Sequence, residues 1–303
     1  MTYPDFSIIV PTFNRPAELA DCLQALALLE YPRDRFEIIV VDDGGALPAA
    51  PVISRFQPGL EIIALRQDRG GPGAARNAGA RIGRGRYLAF TDDDCLPAPG
   101  WLSALATSLR SNDDSLVGGR VLNALAENPY STASQLIVDF AYAHYASDQG
   151  HPRFFSSNNM AMPAETFRKL GGFDVGFRTS EDRDLCDRWL TAGYRLLYAP
   201  DAVIRHAHRL DFRSFWKQHM EYGRGAWRFY RAHGRRHAGK SSIEPGFYWT
   251  LLRKLPLLVM RQARNRALLT LLLGTWQIAN LAGFLAEAVF PADIRSLKES
   301  GKP

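Results

Sequence analysis

The chain has 303 residues, 46% hydrophobic and 22% charged, with a net charge of +6 and three cysteines. That is enough for one large domain or two small ones, with a core that needs no disulfide staple. Cys22, Cys95 and Cys186 are too scattered for a zinc ribbon or a thioredoxin pair, and 25 Gly and 18 Pro without a period exclude collagen-like and low-complexity classes.

The N-terminus has no basic stretch followed by an apolar run, so no signal peptide is expected and a cytoplasmic placement follows. Phe6–Val10 is a continuous apolar run ended by Pro11, the pattern of a strand buried on both faces. From Pro16 to Leu29, leucines at 19, 23, 26 and 29 have helical spacing, with proline in the tolerated first turn. Phe36–Val41, Leu60–Leu65 and Arg86–Phe90 read as further strands, and Gly71–Ile82 as a helix between the last two. Apolar strands alternating with helices imply a mostly parallel sheet covered on both faces, which binds ligands at the carboxyl ends of its strands.

The second half extends the same sheet. Helices are expected at Pro99–Leu109, Tyr130–Ala146 and Glu181–Ala192. Extended segments are expected at Ser115–Val121, Phe154–Ala161, Tyr194–Tyr198 and Ala202–Arg205. The tail differs. Arg205 to Lys240 carries ten Lys/Arg against two acids, so the basicity belongs to this segment and the rest of the chain is slightly acidic. Arg213, Lys217, Arg224, Arg228, Arg231 and Arg235 recur at helical spacing, interleaved with aromatic residues. Ala267–Phe290 then runs 24 residues with one formal charge, Glu287, which is long enough to cross a bilayer. Gln277, Asn280 and Glu287 leave an interfacial helix or an oligomer contact open. The expected organisation is a catalytic domain at 1–210, a basic amphipathic segment at 211–246 and apolar C-terminal helices at 247–303.

Polar clusters fall where such a sheet puts its site. Thr91-Asp-Asp-Asp94 closes a strand. Adjacent carboxylates repel, and a divalent cation shared with phosphate oxygens removes that cost, whereas an acidic turn needs none. Asp42-Asp43 closes another strand and can accept hydrogen bonds from a base or a ribose, or simply begin a Gly-rich turn. Gly70-Gly-Pro-Gly73 opens the helix bearing Arg76 and Asn77, a start suited to phosphate, yet it is neither a Walker loop nor a dinucleotide fingerprint. Glu181 and Asp182 begin a helix after a Gly-rich loop, either complementing its dipole or offering an ionised carboxylate as general base. His206 and His208 share one side of an extended segment, and His206 is a candidate third metal ligand or a structural histidine.

Taken together, Ser7-Ile-Ile-Val-Pro-Thr-Phe-Asn-Arg15, Ile39-Val-Val-Asp-Asp-Gly44, Ala75-Arg-Asn-Ala-Gly79, Phe90-Thr-Asp-Asp-Asp94 and Ser180-Glu-Asp182 resemble, in order and spacing, the family 2 glycosyltransferases over residues 6 to 208. The resemblance implies a GT-A α/β fold, here with a C-terminal helical extension. It also implies a nucleotide-diphosphate sugar donor, most often a UDP-sugar, with Mg²⁺ or Mn²⁺ and inversion at the anomeric carbon. Carried over, Pro11, Thr12 and Asn14 line the nucleotide pocket, and one or both of Asp42 and Asp43 hold the base, usually uracil. Arg76 and Asn77 sit beside the diphosphate and ribose. Asp92 and Asp94 form the DxD pair around Asp93, with His206 beside the metal. Asp182 is the general base, and Asn158 and Glu181 lie on the acceptor side. Gln218-His-Met-Glu-Tyr-Gly-Arg224 is not the Gln-x-x-Arg-Trp motif of processive synthases, so single-sugar transfer is expected. The acceptor expected is a glycan or a lipid-linked glycan of the cell envelope, reached at the inner membrane face. The basic segment then meets anionic headgroups rather than nucleic acid. A nucleotidyltransferase of similar sheet and a non-catalytic membrane-associated subunit are the competing readings.

Overall fold

A computed structural model of the chain describes residues 4–147, 152–238, 253–254, 257–260 and 265–291. The remaining parts of the expected basic and apolar C-terminal segments lie outside the described residues.

The strands β1 (Phe6–Thr12), β2 (Phe36–Asp42), β3 (Ile62–Arg66) and β4 (Tyr87–Phe90) pair in parallel in the order β3-β2-β1-β4. The apolar runs of β1 and β2 are buried at every position because both sheet faces are covered. On one face α1 (Pro16–Ala27) packs Leu19, Leu23 and Leu26 against Phe6, Ile8 and Val10, joined by α2 (Ala50–Ile53). On the other, α3 (Pro72–Ile82) sets Ala75 and Ala78 against Ile9, Ile39 and Val41. Each large apolar side chain so buried contributes about 1.5–3 kcal/mol.

Beyond β4 the sheet continues through β5 (Cys95–Pro97), α4 (Trp101–Arg110), β6 (Leu116–Asn123), α5 (Pro129–Ser147) and β7 (Met160–Pro163). It is completed by α6 (Ala164–Lys169), α7 (Glu181–Thr191) and β8 (Leu196–His206). The full order is β3-β2-β1-β4-β7-β6-β8-β5, with β7 antiparallel to both its neighbours and β5 antiparallel to β8.

Several expectations are refined. The stretch expected to be extended from Phe154 holds a 3₁₀ turn at Ser157–Asn159 before β7. The two segments expected around Pro200 form one strand. Its pairing with β6 slips between Gly119↔Ala199 and Arg120↔Val203, which absorbs Pro200, Asp201 and Ala202. Neither β5 nor α6 has a sequence pattern long enough to reveal it.

A third core lies away from the sheet, where α8 (Phe212–Arg236) and α9 (Arg266–Val289) pack with α5 through Leu136, Phe140, Phe215, Leu272, Leu273 and Trp276. Helix α8 starts with a capping box in which the Asp211 carboxylate accepts the Ser214 N–H at 2.7 Å. Its backbone touches that of α9 because glycines meet there: a Cβ on Gly223 would stand 1.9 Å from the Asn280 carbonyl oxygen, and one on Gly283 1.8 Å from that of Met220. Of the basic residues expected on one face of α8, Arg224 and Arg228 are turned to the buried Glu287 of α9, at 3.2 and 2.8 Å. Arg213, Lys217, Arg231 and Arg235 stay exposed.

Candidate active site

Where the parallel strands end, a cavity of about 660 Å³ opens, walled by the loops after β1 and β4, the starts of α3 and α7, and inner faces of α5, α8 and α9. From the loop after β1 come Pro11, Thr12, Phe13 and Arg15, and from the loop after β4 come Asp92, Asp93 and Asp94. Asp43, Arg76, Asn158, Glu181, Asp182 and His206 complete the acidic half.

Three carboxylates in a row survive because each has a different partner. The Asp92 Oδ1 accepts a 2.6 Å bond from Nη2 of Arg76, whose other nitrogen Nη1 reaches Oε1 of Glu181 at 2.8 Å. Asp93 accepts the Thr12 hydroxyl at 2.7 Å. Arg15 Nη1 lies 3.3 Å from Asp93 and 2.9 Å from Asp94. Asp94 also stands 3.2 Å from Nε2 of His206. The short strand β5 is responsible for this last contact: its pairing with β8 puts Cys95 opposite His206, so the histidine is delivered from more than a hundred residues away to the end of the Asp triplet.

The electrostatics follow from burial against partnership. Burial pushes Asp93 up to about 7, because Arg15 and Thr12 offset the desolvation only in part and Asp94 adds like charge. The same burial acts on Asp94, but the hydrogen bond and charge of His206, with Arg15, outweigh it and hold Asp94 well below the usual carboxylate range. His206 is raised in turn, Asp94 overcoming its desolvation.

Across the cavity, Ser180 takes a left-handed φ of 70° and caps α7, so the next two residues enter the first helical turn facing the acid cluster. Asp182 accepts the backbone N–H of Arg183 at 2.8 Å and of Ser157 at 3.2 Å. Burial raises both Glu181, to about 7, and Asp182, each also feeling nearby carboxylates. Asn158 is buried in the same wall, its Oδ1 without a hydrogen-bond partner among the described residues.

Other anticipated residues hold the walls from behind. Asp42 accepts the N–H groups of Gly45 and Ala49 and an Arg66 bond, all at 3.2 Å, which organises the loop after β2. Asn14 accepts the Leu47 N–H at 2.9 Å from a backbone with φ 56°. Asn77 clips α3 to the Gly171-Gly172 loop by pairing with both backbone groups of Phe173, at 2.7 and 2.9 Å. None of these three lines the cavity. Asp43 does, although its carboxylate already accepts Gly70 and Gly71 N–H at 2.8 Å and the Gln67 amide at 2.7 Å.

Local sequence signals did not single out Arg15, or Phe13 with Arg69 stacked at 4.3 Å over its ring; Arg183, the cation beside the carboxylates at the start of α7, lies 4.1 Å over the Phe229 ring. Nor did those signals reveal the far wall, to which Gln218 and Tyr222 of α8 and Gln277 and Asn280 of α9 all contribute. For Arg15 a signal existed: a cation directly after the first strand stands at the sheet edge where ligands bind.

The donor set fits a divalent cation. Asp94, the His206 imidazole and the Cys95 thiol place their ligand atoms within 4.8 Å of one another; the carboxylate oxygen suits Mn²⁺ or Mg²⁺, and the imidazole nitrogen suits softer divalent metals.

This arrangement sets an acid triplet at the end of a parallel strand opposite carboxylates on a helix start, at the sheet edge where such folds bind ligands. Residues 7–171 match the family model for glycosyl transferase family 2, over half of the chain, and the chain belongs to that family. It is 28% identical over 227 residues to the glycosyltransferase AglE of Haloferax volcanii, covering 74% of this chain and 73% of that one. It is also 28% identical over 237 residues to a pre-mycofactocin glycosyltransferase of Mycobacterium tuberculosis, of which it spans only 47%. Among solved structures it resembles a mannosyltransferase from Pyrobaculum calidifontis in complex with GDP-Man and Mn²⁺, at a TM-score of 0.62 and 21% identity over 99% of this chain and 80% of that one. TarS of S. aureus in complex with UDP-GlcNAc gives 0.56 at 14% identity over 97% and 77%. The fold is the GT-A fold of these glycosyltransferases, and the chain is a glycosyltransferase.

Proposed function

We propose that the chain moves one sugar from a nucleotide-diphosphate donor to an acceptor hydroxyl with inversion, in a metal-dependent reaction at this cavity. The observation that carries the reading is that Asp182 lines the same cavity as Asp92, Asp94 and His206. Asp43 and the Phe13 ring, braced by Arg69, form the end suited to a base, and Pro11 and Thr12 form its floor. Asp94 and His206, with Asp92 beside them, are the residues to hold Mg²⁺ or Mn²⁺. A divalent cation there supplies positive charge where the leaving diphosphate becomes more negative. Arg76 is buried between Asp92 and Glu181 and fixes the spacing of the two halves of the site. Asp182, oriented by two backbone N–H groups, accepts the acceptor's hydroxyl proton. Its raised pKa strengthens it as a base relative to an exposed aspartate. Asn158 and Glu181 border the acceptor side. Family membership favours this reading over nucleotidyl transfer.

The proposed workplace is a membrane surface carrying a lipid-linked or glycan acceptor. Helix α9 is apolar on both sides: Leu272, Leu273 and Trp276 pack inward beside Gln277, Asn280 and Glu287, while Leu271, Ile278, Leu281, Leu285 and Val289 are exposed. Its 24 residues span about 36 Å and, among the described residues, it is the helix long and apolar enough to cross a bilayer. Exposed Arg213, Lys217, Arg231 and Arg235 on α8 suit anionic headgroups.

A thermal-shift screen of UDP-Glc, UDP-GlcNAc and GDP-Man, each with and without Mn²⁺, tests the reading. One donor should raise the melting temperature, and more so with Mn²⁺, because a ligand of the native state alone stabilises it. No shift with any nucleotide sugar or its nucleoside diphosphate would overturn it.

A further inference from the structure

The two arginines at the acid triplet differ in one respect that separates their roles. Arg76 is 4% exposed and is bonded at both ends of its fork, so it is a permanent part of the wall. Arg15 is 49% exposed, and one nitrogen, Nη1, reaches both Asp93 and Asp94. Its backbone is fixed, with its carbonyl accepting the Leu19 N–H at 3.0 Å as α1 begins, and the left-handed Asn14 before it turns the chain toward the cavity. The side chain is half exposed and held through one nitrogen, so it can turn without moving the backbone. A guanidinium 2.9 Å from an Asp94 oxygen stands beside the atoms that a divalent cation would take. Two cations crowding one buried carboxylate repel by Coulomb's law.

We propose that Arg15 is an exchangeable counter-ion: it neutralises Asp93 and Asp94 while the donor is absent, and moves onto the donor's diphosphate when the divalent cation takes Asp94. Three observations support this. Asp93 and Asp94 are buried side by side, where like charges repel and a nearby cation is favoured. The Arg15 contact is single-ended and half exposed, which makes it weak and reversible. Arginine's fork matches phosphate oxygens, so the released side chain gains a partner in the same cavity. The consequence is ordered assembly, in which cation and donor bind weakly apart and strongly together. This rests on the metal-dependent reading above.

The experiment measures free Mn²⁺ by EPR during titration of donor-free protein, and donor binding by tryptophan fluorescence at saturating Mn²⁺. Wild type, Arg15→Gln, Arg15→Lys and Asp94→Asn are compared. For Arg15→Gln we expect Mn²⁺ binding about threefold or more tighter and donor binding about fivefold or more weaker, magnitudes typical of one partly exposed charge contact. Arg15→Lys, which keeps the charge with less perturbation of the fold, should leave Mn²⁺ affinity near wild type and still weaken the donor. Tighter Mn²⁺ with unchanged donor affinity would make Arg15 a static counter-ion and overturn the exchange, as would no change in either. Wild type that binds no Mn²⁺ even with donor present, or binds it equally after Asp94→Asn, would instead overturn the metal assignment itself.

Discussion

Replacing Arg76 by methionine tests whether the buried ion-pair bridge holds the site together. The guanidinium spans Glu181 at 2.8 Å and Asp92 at 2.6 Å, with Arg76 4% and Glu181 7% exposed. Methionine fills much of the volume and leaves Glu181 buried without a counter-charge, and breaking such a pair costs about 3–5 kcal/mol. Protonation limits the loss. Burial and the neighbouring Asp182 already push Glu181 up to about 7 with Arg76 present, and removal of the cation raises it further. A carboxyl whose folded pKa lies above its ordinary 4.5 costs stability where it would be ionised, so stability falls as pH rises through that window. Arg76→Met should therefore lose about 3 kcal/mol or more at pH 8 and visibly less at pH 6. Urea unfolding followed by tryptophan fluorescence measures both. The double variant Arg76→Met/Glu181→Gln should regain at least about 1 kcal/mol at pH 8, because it removes the orphaned charge. A single variant within about 1 kcal/mol of wild type at pH 8, or a loss independent of pH, would refute the bridge as a structural element.

Further outcomes follow from groups outside the bridge. His219 is buried beside Phe215 and Trp276, and burial pushes its pKa down to about 3 from an ordinary 6.5. The unfolded chain then binds the extra proton first, so stability falls as pH drops below 6.5, by about 2 kcal/mol at pH 5. Stability curves of wild type and His219→Gln should diverge below pH 6.5, and parallel curves would contradict the buried neutral imidazole. Full-length protein should co-sediment with vesicles containing phosphatidylglycerol and release partly at high salt. Leu271→Gln/Ile278→Gln/Leu285→Gln, on the exposed face of α9, should weaken that binding about tenfold or more, since burying each such side chain is worth about 1.5–3 kcal/mol. Unchanged sedimentation would remove α9 from the membrane account.

The first half of the fold was legible because its signals are local. Runs such as Phe6–Val10 and Phe36–Val41 declare strands buried on both faces, and the acids that follow them fall at the sheet edge by the geometry of parallel pairing. What the sequence hid depends on register and long-range packing. Nothing near His206 announces Asp94; the contact exists because three residues of β5 pair with the end of β8. Asp42 and Asp43 look alike in sequence, yet alternation along the chain sends one into its own loop and the other to the cavity wall. In the tail, spacing grouped six basic residues on one side of α8, but only tertiary contact with Glu287 distinguishes Arg224 and Arg228 from their exposed neighbours.

In the proposed reaction Asp182, held at the start of α7 across the cavity from the acid triplet, removes the proton that lets an acceptor attack. Single-turnover transfer by Asp182→Asn, measured with donor affinity on the same preparation, tests it most directly. The account predicts donor binding within about threefold of wild type and transfer slowed by about 10²–10⁴. Transfer at near the wild-type rate by a variant that binds donor normally would contradict it.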